Sequence, residues 1–169
     1  MSDPSGAERA RFRESMARLG AAVTIVTTST AEGDVGMTVS AVTSVTDEPP
    51  TLLVCLNRAS RQYEAFREAG IFCVNVLSHR DEALSPVFAG RDNLPMSARF
   101  AQARWLRLAT GAPALASATA ALDCKVTQML DVGTHTVFFG AVQAIHLHEE
   151  SSGLIYHGRA YHRLAPRGA

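Results

Sequence analysis

Residues 36–45 form a segment in which small side chains and hydroxyls stand where a strand usually carries bulky residues. A flat ring that lies against backbone needs such a bare surface, because hydroxyl and N–H groups can then reach the heteroatoms of the ring. A packed strand with Thr and Ser on its solvent side is the simpler interpretation, and composition alone favours it. The segment is therefore a candidate ring-binding surface with an open alternative.

A second candidate, residues 56–61, lies between an apolar run and a predicted helix and carries Arg58, Ser60 and Arg61. Backbone amides at a helix N-terminus bind anions together with a serine hydroxyl, and the arginines add positive charge. A phosphate is the natural ligand of such a group. The alternative is that Ser60 merely caps its helix.

Two further candidates lie in the C-terminal third of the chain. His135 follows Gly133 at the start of a predicted strand, where it could contact a substrate at a loop mouth; a core or edge histidine is the alternative. Arg159 and Tyr161 are two positions apart, so they share a face if the segment is a strand. Such a pair can hold a phosphate or stack on a ring, whereas the polar tip of a β-hairpin is the alternative.

Familiar catalytic and nucleotide-binding motifs are absent from the sequence. It contains no GxGxxG after a strand, no GxxxxGK followed by Ser or Thr, no GxSxG and no HExxH. His146 and His148 could share a strand face with Glu150, but a metal ion needs further ligands. No metal site is therefore expected, and an exposed polar strand end is the preferred interpretation.

Composition predicts one globular domain over residues 1–169, with 1–10 as a flexible start. Lys plus Arg and Asp plus Glu both number 16, so no net basic field draws the chain to nucleic acid or to an anionic membrane. No stretch reaches the roughly 18 apolar residues of a spanning helix, and the polar N-terminus is unlike a signal peptide. Three widely spaced cysteines, Cys55, Cys73 and Cys124, fit structural thiols rather than disulfides or zinc ligands. The expected location is the cytoplasm.

Helix and strand signals follow one another irregularly along the chain. Ser5 and Glu8 form a capping box that starts a helix, which Gly20 is expected to end. An apolar stripe runs along this helix at Phe12, Met16 and Leu19. Apolar or β-branched runs predict strands at 22–28, 35–46, 51–56, 71–77, 120–130, 135–148 and 156–164. Short helices are predicted at 59–69 and 80–89, and an irregular loop over a site at 90–118. Because these elements do not alternate as βαβ units, a largely antiparallel barrel is favoured.

In this order, the candidate segments resemble the short flavin reductase family, which includes reductase components of two-component flavin-dependent monooxygenases. The 4-hydroxyphenylacetate, phenol and pyrimidine-degradation systems have such members. The matching stretches are Phe12 and Arg13 with 22–27, 36–41 with 43–45, 54–57 with Ser60, 72–77, 131–135 and 156–162. Each is short, but together they are ordered and span residues 12–164.

The resemblance implies a mainly β fold, a split β-barrel of the Greek-key, FMN-binding type with a few short helices. It implies a homodimer that reduces FAD or FMN by hydride transfer from NADH, with NADPH a less favoured donor. Reduced flavin would then diffuse to a partner monooxygenase, and neither nucleic acid nor a membrane is involved. A pyridoxamine-phosphate-oxidase-like flavoenzyme and a non-enzymatic flavin carrier or sensor are the alternatives.

Family positions carry over to residues of this chain by motif. The flavin contacts would be Met37, Thr38, Val39, Ser40, Ala41, Asn57, Ser60, Asn75, Val76, Leu77, Ser85 and Phe88. The nicotinamide dinucleotide contacts would be Gly133, His135, Tyr156, Arg159 and Tyr161. A phosphate contact by Arg61 is inferred from its charge and not from the family. His135 is the candidate catalytic residue, because it would position the dinucleotide beside the flavin.

Overall fold

The structure, a computed structural model, describes residues 5–149 and 152–165. Residues 1–4 of the predicted flexible start and Glu150 of the His146–His148 group lie outside this range, whereas residues 6–10 are helical. None of the helices in the described part of the chain has the length and apolarity that a bilayer crossing requires.

Strands dominate the described residues. They are β1 (Ala21–Ala22), β2 (Thr24–Thr30), β3 (Gly33–Val39), β4 (Val42–Asp47), β5 (Pro50–Asn57), β6 (Ile71–Val76), β7 (Trp105–Arg107), β8 (Pro113–Leu115), β9 (Ala120–Val132), β10 (His135–Leu147), β11 (Gly153–His157) and β12 (Ala160–Leu164). The helices are α1 (Gly6–Ala17), α2 (Tyr63–Ala69), α3 (Leu84–Phe88) and α4 (Met96–Phe100), with a 3₁₀ turn at His79–Asp81. The prediction of a mainly β fold with short helices is confirmed.

The main sheet is antiparallel, with the strand order β3-β2-β6-β9-β10-β5-β4. Its two edge strands, β3 and β4, are separated in the chain only by Ser40 and Ala41. The sheet must therefore curl until its edges meet, and the N–H of Cys55 in β5 donates to the carbonyl of Ala41 at 3.0 Å. Within the described residues no ladder joins β3 to β4. The barrel is thus split, as predicted.

Alternation along the strands sends one side chain in two into the barrel. In β5 the buried positions are Leu52, Val54 and Leu56, and α2 places Phe66 against the same cluster. A second apolar cluster lies outside the barrel wall, where Phe88 of α3 packs with Ile25 of β2, Leu115 of β8 and Leu77, which follows β6. The sheet therefore has a core on each face, and α3 is anchored in the outer one.

Asn75 of β6 ties β8 to the barrel wall. It is completely buried, it donates to the carbonyl of Ile25 at 2.9 Å, and its carbonyl accepts from the N–H of Leu115 at 2.6 Å. The prediction that 90–118 is irregular is therefore wrong, because this segment holds α4 and the β7–β8 hairpin. Elements of three to five residues carry too little periodicity to be seen in a sequence.

Several predicted elements differ in their bounds, and the single strand predicted at 156–164 is the end of β11, a turn and β12. The strand predicted at 35–46 is two strands, because the chain crosses from one sheet edge to the other at 40–41. The helix predicted at 59–69 begins at Tyr63, since Ser60 belongs to the preceding turn and its carbonyl accepts from the N–H of Tyr63 at 3.1 Å. The helix predicted at 80–89 is a 3₁₀ turn followed by α3.

The N-terminal helix α1 has the predicted capping box, with Ser5 and Glu8 bonded reciprocally. It ends at Ala17, before Gly20. Its apolar stripe does not face the core, since Phe12 is 67% exposed and Leu19 62% exposed. No residue of α1 is buried in the single chain.

Candidate functional site

The bare segment of the sequence lies at the end of β3, where α3 packs closely against the strand. A Cβ atom built on Gly36 would lie 2.9 Å from the Phe88 ring, so only a glycine admits the ring at this distance. Beside this contact is a cavity of about 370 Å³ whose walls include Met37, Thr38 and Arg61. Its other lining residues are Ser60, Gln62, Phe88, Ala89, Gly90, Asn93 and Arg99. Predicted flavin contacts from three separate motifs thus meet in one place, which we call the first cavity.

A hydrogen-bonded chain links this strand to the C-terminal hairpin. The hydroxyl of Thr38 donates to the carbonyl of Ser85 at 2.6 Å, and the Ser85 hydroxyl lies 2.8 Å from that of Tyr161. The Tyr161 ring lies at 5.4 Å from that of Tyr156, with the planes tilted by 60°. These hydrogen bonds therefore bring residues predicted to contact the flavin beside residues predicted to contact the dinucleotide.

The other side of the strand end borders a larger cavity of about 850 Å³, the second cavity. It is lined by the predicted site residues Ser40, Ala41, Tyr156 and Arg159. Its remaining walls are Arg13, Met16, Ala17, Leu19, Gly20, Ala21, Ala22, Val42, Thr43, Leu53 and Cys55. Val39, which separates the two cavities along the strand, is buried in the barrel core. Both volumes fall in the range of about 300–1,000 Å³ that is typical of small-molecule sites.

The spacing predicts that Arg159 and Tyr161 share a strand face, and this prediction is wrong. It occupies the turn between β11 and β12 with φ of 64°, and it donates to the carboxylate of Glu14 at 2.8 Å. The neighbouring N–H of Gly158 donates to the carbonyl of Ala17 at 2.7 Å. Two positive φ values in a row make a tight turn, which removes Arg159 from the strand and places it against α1.

His135 and Asn57 lie side by side, because β10 pairs with β5 at these two positions. The Nδ1 atom of His135 lies 2.9 Å from the Thr134 hydroxyl, and the side chain is exposed. Gly133 supplies the turn with φ of 56°. The carbonyl oxygen of the Asn57 side chain accepts from the N–H of Ala59 at 2.9 Å and so shapes the turn toward α2. This pair lies exposed at the end of the ladder between β5 and β10 and lines neither cavity.

Some predicted contacts have other roles in the single chain. The Asn75 side chain is engaged by the backbone of β2 and β8, and Leu77 is buried in the outer core. Val76 pairs with Thr24 in the sheet. The guanidinium of Arg58, a candidate phosphate contact, is engaged by Asp131 and by the carbonyl of Gly133.

The sequence interpretation missed several residues that line the cavities. Arg99, which is buried, borders the first cavity and donates to the carbonyl of Leu94 at 2.9 Å. Gln62 and Asn93 border it as well, and Arg13 borders the second cavity. Arg13 lies in a stretch that carries the resemblance but was assigned no contact; the other three lie in no recognisable motif, and the burial of Arg99 is visible only in the structure. Arg61 and Arg99 together make the first cavity suitable for a phosphate.

The cysteines are poor nucleophiles. Burial raises the pKa of Cys55, and burial together with the Asp123 carboxylate raises the pKa of Cys124 to about 12. The pKa of Cys73 is raised in the same way. All three are free thiols, which agrees with a structural role. Among the described residues no group of three or more His, Cys, Asp or Glu side chains is placed to hold a metal ion.

Comparisons with known proteins cover almost the whole chain. The model of the flavin reductase like domain matches residues 16–165. The FMN reductase (NADH) RutF of Variovorax paradoxus strain S110 is 51% identical over 166 residues, which cover 96% of this chain and 91% of that protein.

Solved structures have the same fold. A candidate flavin reductase of Haemophilus somnus 129PT gives a TM-score of 0.88 at 42% identity, over 92% of this chain and 98% of that one. The NADH:FAD oxidoreductase SgcE6 of Streptomyces globisporus C-1027, solved with NAD and FAD fragments, gives 0.86 at 26% identity over 100% of both chains. The styrene monooxygenase flavin reductase SMOB of Pseudomonas putida S12 gives 0.79 at 29% identity, over 90% of this chain and 96% of that one.

Proposed function

Because the chain belongs to the flavin reductase family, we propose that it transfers a hydride from NADH to a free flavin and releases the reduced flavin to a partner monooxygenase. The observation that carries this proposal is the pair of cavities that lie on either side of the bare end of β3. The chain Thr38–Ser85–Tyr161 links the flavin strand with the dinucleotide hairpin across that end.

FMN is the proposed acceptor and NADH the proposed donor. The support is the name of the Variovorax relative, an FMN reductase (NADH), at 51% identity. FAD is the second candidate acceptor, since the Streptomyces structure is of an NADH:FAD oxidoreductase. Initial rates with each flavin and each nicotinamide decide between them; a higher kcat/KM with NADPH than with NADH would overturn the donor assignment.

In that reaction the residues of this chain orient the flavin and the nicotinamide. When bound, the nicotinamide and the flavin supply the redox chemistry, with C4 of one donating hydride to N5 of the other. The protein must hold the rings face to face with about 3–3.5 Å between the reacting atoms. The bare backbone of β3 offers a flat wall, and Phe88 closes one side of the first cavity. Arg61 and Arg99 supply positive charge for a phosphate.

His135 is the proposed dinucleotide contact. Its Nδ1 atom is engaged by Thr134, and the exposed ring then presents Nε2 to a ligand. His135→Ala is expected to raise KM for NADH by roughly tenfold, as the loss of one hydrogen bond to a charged or polar group would. Steady-state rates over a range of NADH concentrations measure it. An unchanged KM together with an unchanged kcat would show that His135 has no such role.

Flavin is proposed to be a substrate and not a permanent prosthetic group. Both cavities are open, and a reductase that supplies a separate oxygenase must let its reduced flavin leave. The purified protein is then colourless and oxidises NADH only when flavin is added. A yellow protein that turns over without releasing its flavin would contradict the proposal.

The same absorbance assay separates the two alternative functions. A pyridoxamine-phosphate-oxidase-like enzyme holds FMN tightly and does not oxidise NADH, and a carrier or sensor binds flavin without turnover. Loss of NADH absorbance only when protein and flavin are both present selects the reductase. No loss under any condition refutes it.

A homodimer is proposed as the working form. Exposed apolar side chains lie on α1, including Phe12 and Met16, and on the end of β9, including Met129, Leu130 and Val132. Two groups of large apolar side chains that are exposed in the single chain favour a protein interface. In addition, His135 and Asn57 line neither cavity of the single chain, which a second copy could complete. Light scattering on the purified protein tests the dimer, and a monomer at micromolar concentration would refute it.

The proposed location is the cytoplasm, where NADH is supplied and free thiols stay reduced. The three free cysteines support this location. Cell fractionation tests it, and a signal in the periplasmic fraction would refute it.

A further inference from the structure

Arg58 lies immediately after β5 and contacts the turn between β9 and β10 at three places. Its backbone N–H donates to the carbonyl of Thr134 at 3.0 Å. One guanidinium nitrogen lies 2.8 Å from the Asp131 carboxylate, and the other donates to the carbonyl of Gly133. The arginine therefore holds both arms of the turn that leads into His135.

Asp131 is held on its other side by a chain that ends in the core. Its Oδ1 atom accepts from the hydroxyl of Thr136 at 2.6 Å, and that hydroxyl lies 2.8 Å from the Tyr63 hydroxyl. Thr136 and Tyr63 are both buried. The hydrogen bond from Thr136 and the charge of Arg58 keep the pKa of Asp131 below its ordinary value, although desolvation opposes them. The carboxylate is therefore ionised at neutral pH and remains a partner for Arg58.

The ladder between β9 and β10 closes the turn at the pair Val132 and His135, but the turn has few side-chain contacts beyond that ladder, because residues 127–135 are all exposed. The ladder between β10 and β5 ends at the pair His135 and Asn57, and Arg58 extends that attachment by one residue onto the turn. An exposed hairpin end without such an attachment samples more conformations. Fixing it in advance lowers the ordering cost of any ligand that the turn binds.

We propose that Arg58 is a positioning residue, which clamps the turn 131–134 so that His135 is already oriented when the dinucleotide arrives. This inference rests on the proposed role of His135. Arg58 itself does not touch the dinucleotide, since both arms of its guanidinium are engaged by the turn. Its loss should therefore weaken dinucleotide binding while the flavin site stays as it is.

The test compares Arg58→Met with Arg67→Met as a matched control. Arg67 lines the same surface cavity of about 520 Å³ as Arg58, but its ion pair is with Glu64, 3.1 Å away on the same helix. Its charge is the smallest of the causes that lower the pKa of Asp131, so it acts on Asp131 at a distance only. Arg58→Met should raise KM for NADH by roughly 3- to 10-fold and leave kcat and the flavin KM within about twofold. Arg67→Met should change none of the three. Arg58→Lys keeps the positive charge but lacks the two separate guanidinium nitrogens that engage Asp131 and the carbonyl of Gly133. Its KM for NADH should therefore lie between the values of the wild type and of Arg58→Met.

Amide hydrogen exchange over residues 129–137 measures the clamp directly. Exchange should be faster in Arg58→Met than in Arg67→Met, and an equal rate overturns the inference. In the His135→Ala background, Arg58→Met should add less than about twofold to the NADH KM, because both changes act through one contact. A full additional rise also overturns the inference.

The failure of this inference is distinguishable from that of the proposed function. If His135→Ala raises the NADH KM and Arg58→Met does not, the clamp has no positioning role and the proposed function stands. If His135→Ala leaves NADH kinetics unchanged, the proposed role of His135 fails, and this inference fails with it.

Discussion

Gly36→Ala is the substitution for which the structure gives the clearest magnitude. A Cβ atom at this position would lie 2.9 Å and 3.0 Å from two ring carbons of Phe88 and 3.2 Å from the Cγ2 of Thr27. Carbon atoms prefer about 3.5–4.0 Å, so the ring must retreat by roughly 0.6 Å or more. It cannot do so freely, because it is 2% exposed and packs edge-on against Phe100 at 5.2 Å and Trp105 at 5.7 Å.

Overpacking of a tight core costs about 1–3 kcal/mol, and the enclosed ring suggests the middle of that range, ~2 kcal/mol. For a domain of this size that lowers Tm by about 4–8 °C. Because Phe88 also lines the first cavity, KM for flavin should rise in the same variant. Urea unfolding gives the free energy, and initial rates at saturating NADH give the flavin KM.

A second variant isolates the cause. In the Phe88→Leu background the ring is gone and only the 3.2 Å contact with the Cγ2 of Thr27 remains, so Gly36→Ala should cost less there than in the wild-type background. Gly20→Ala is the control for the change from Gly to Ala, since its nearest neighbour, the Cγ2 of Ile155, is at an ordinary 3.4 Å. A Gly36→Ala protein as stable as wild type, or an equal loss in the Phe88→Leu background, would refute the steric explanation.

Two further predictions concern residues whose hydrogen bonds stabilise the fold without lining either cavity. Asn75→Ala removes the acceptor of the buried Leu115 N–H and should destabilise the protein by about 3 kcal/mol in urea unfolding, while the flavin KM changes little; a large rise in that KM without loss of stability would assign the side chain to the flavin instead. Asp34 accepts from Ser29 at 2.6 Å and from Arg107; burial raises its pKa, but these two hydrogen bonds and the charge of Arg107 lower it overall from 3.8. Because the pKa is lower in the folded state, the ionised carboxylate stabilises the protein above pH about 4, and this contribution is lost as pH falls through the folded value. Asp34→Asn should therefore cost about 1 kcal/mol at pH 6, with the difference from wild type shrinking as the pH falls below 3.8; a difference that stays constant as the pH falls would contradict the assignment.

Local patterns were sufficient for the elements with strong short-range signals. The capping box of Ser5 and Glu8 was visible because both partners lie within one helical turn. The main strands were visible because β-branched and apolar residues recur along them. The resemblance of ordered motifs added the split barrel and the residues near the end of β3, which the separate motifs had left open.

The sequence did not predict where the residues between those motifs lie in the fold. Arg159 was expected on a strand face with Tyr161, yet it bonds to Glu14, 145 residues away, because two left-handed residues turn the chain at that point. The sequence predicts an irregular loop at 90–118, yet this segment holds α4, which carries Arg99 to the first cavity, and a hairpin whose strand β8 is bonded to Asn75.

Strand propensity and helix capping depend on residues that are close in the sequence, so the sequence alone is enough to recognise them. The meeting of β3 and β4 through Ser40 and Ala41 depends on how far the whole sheet curls. The attachment of Arg58 to a turn 75 residues later depends on the register between β5 and β10. Register and curvature result from the packing of all the strands together, and no short stretch of sequence contains that information.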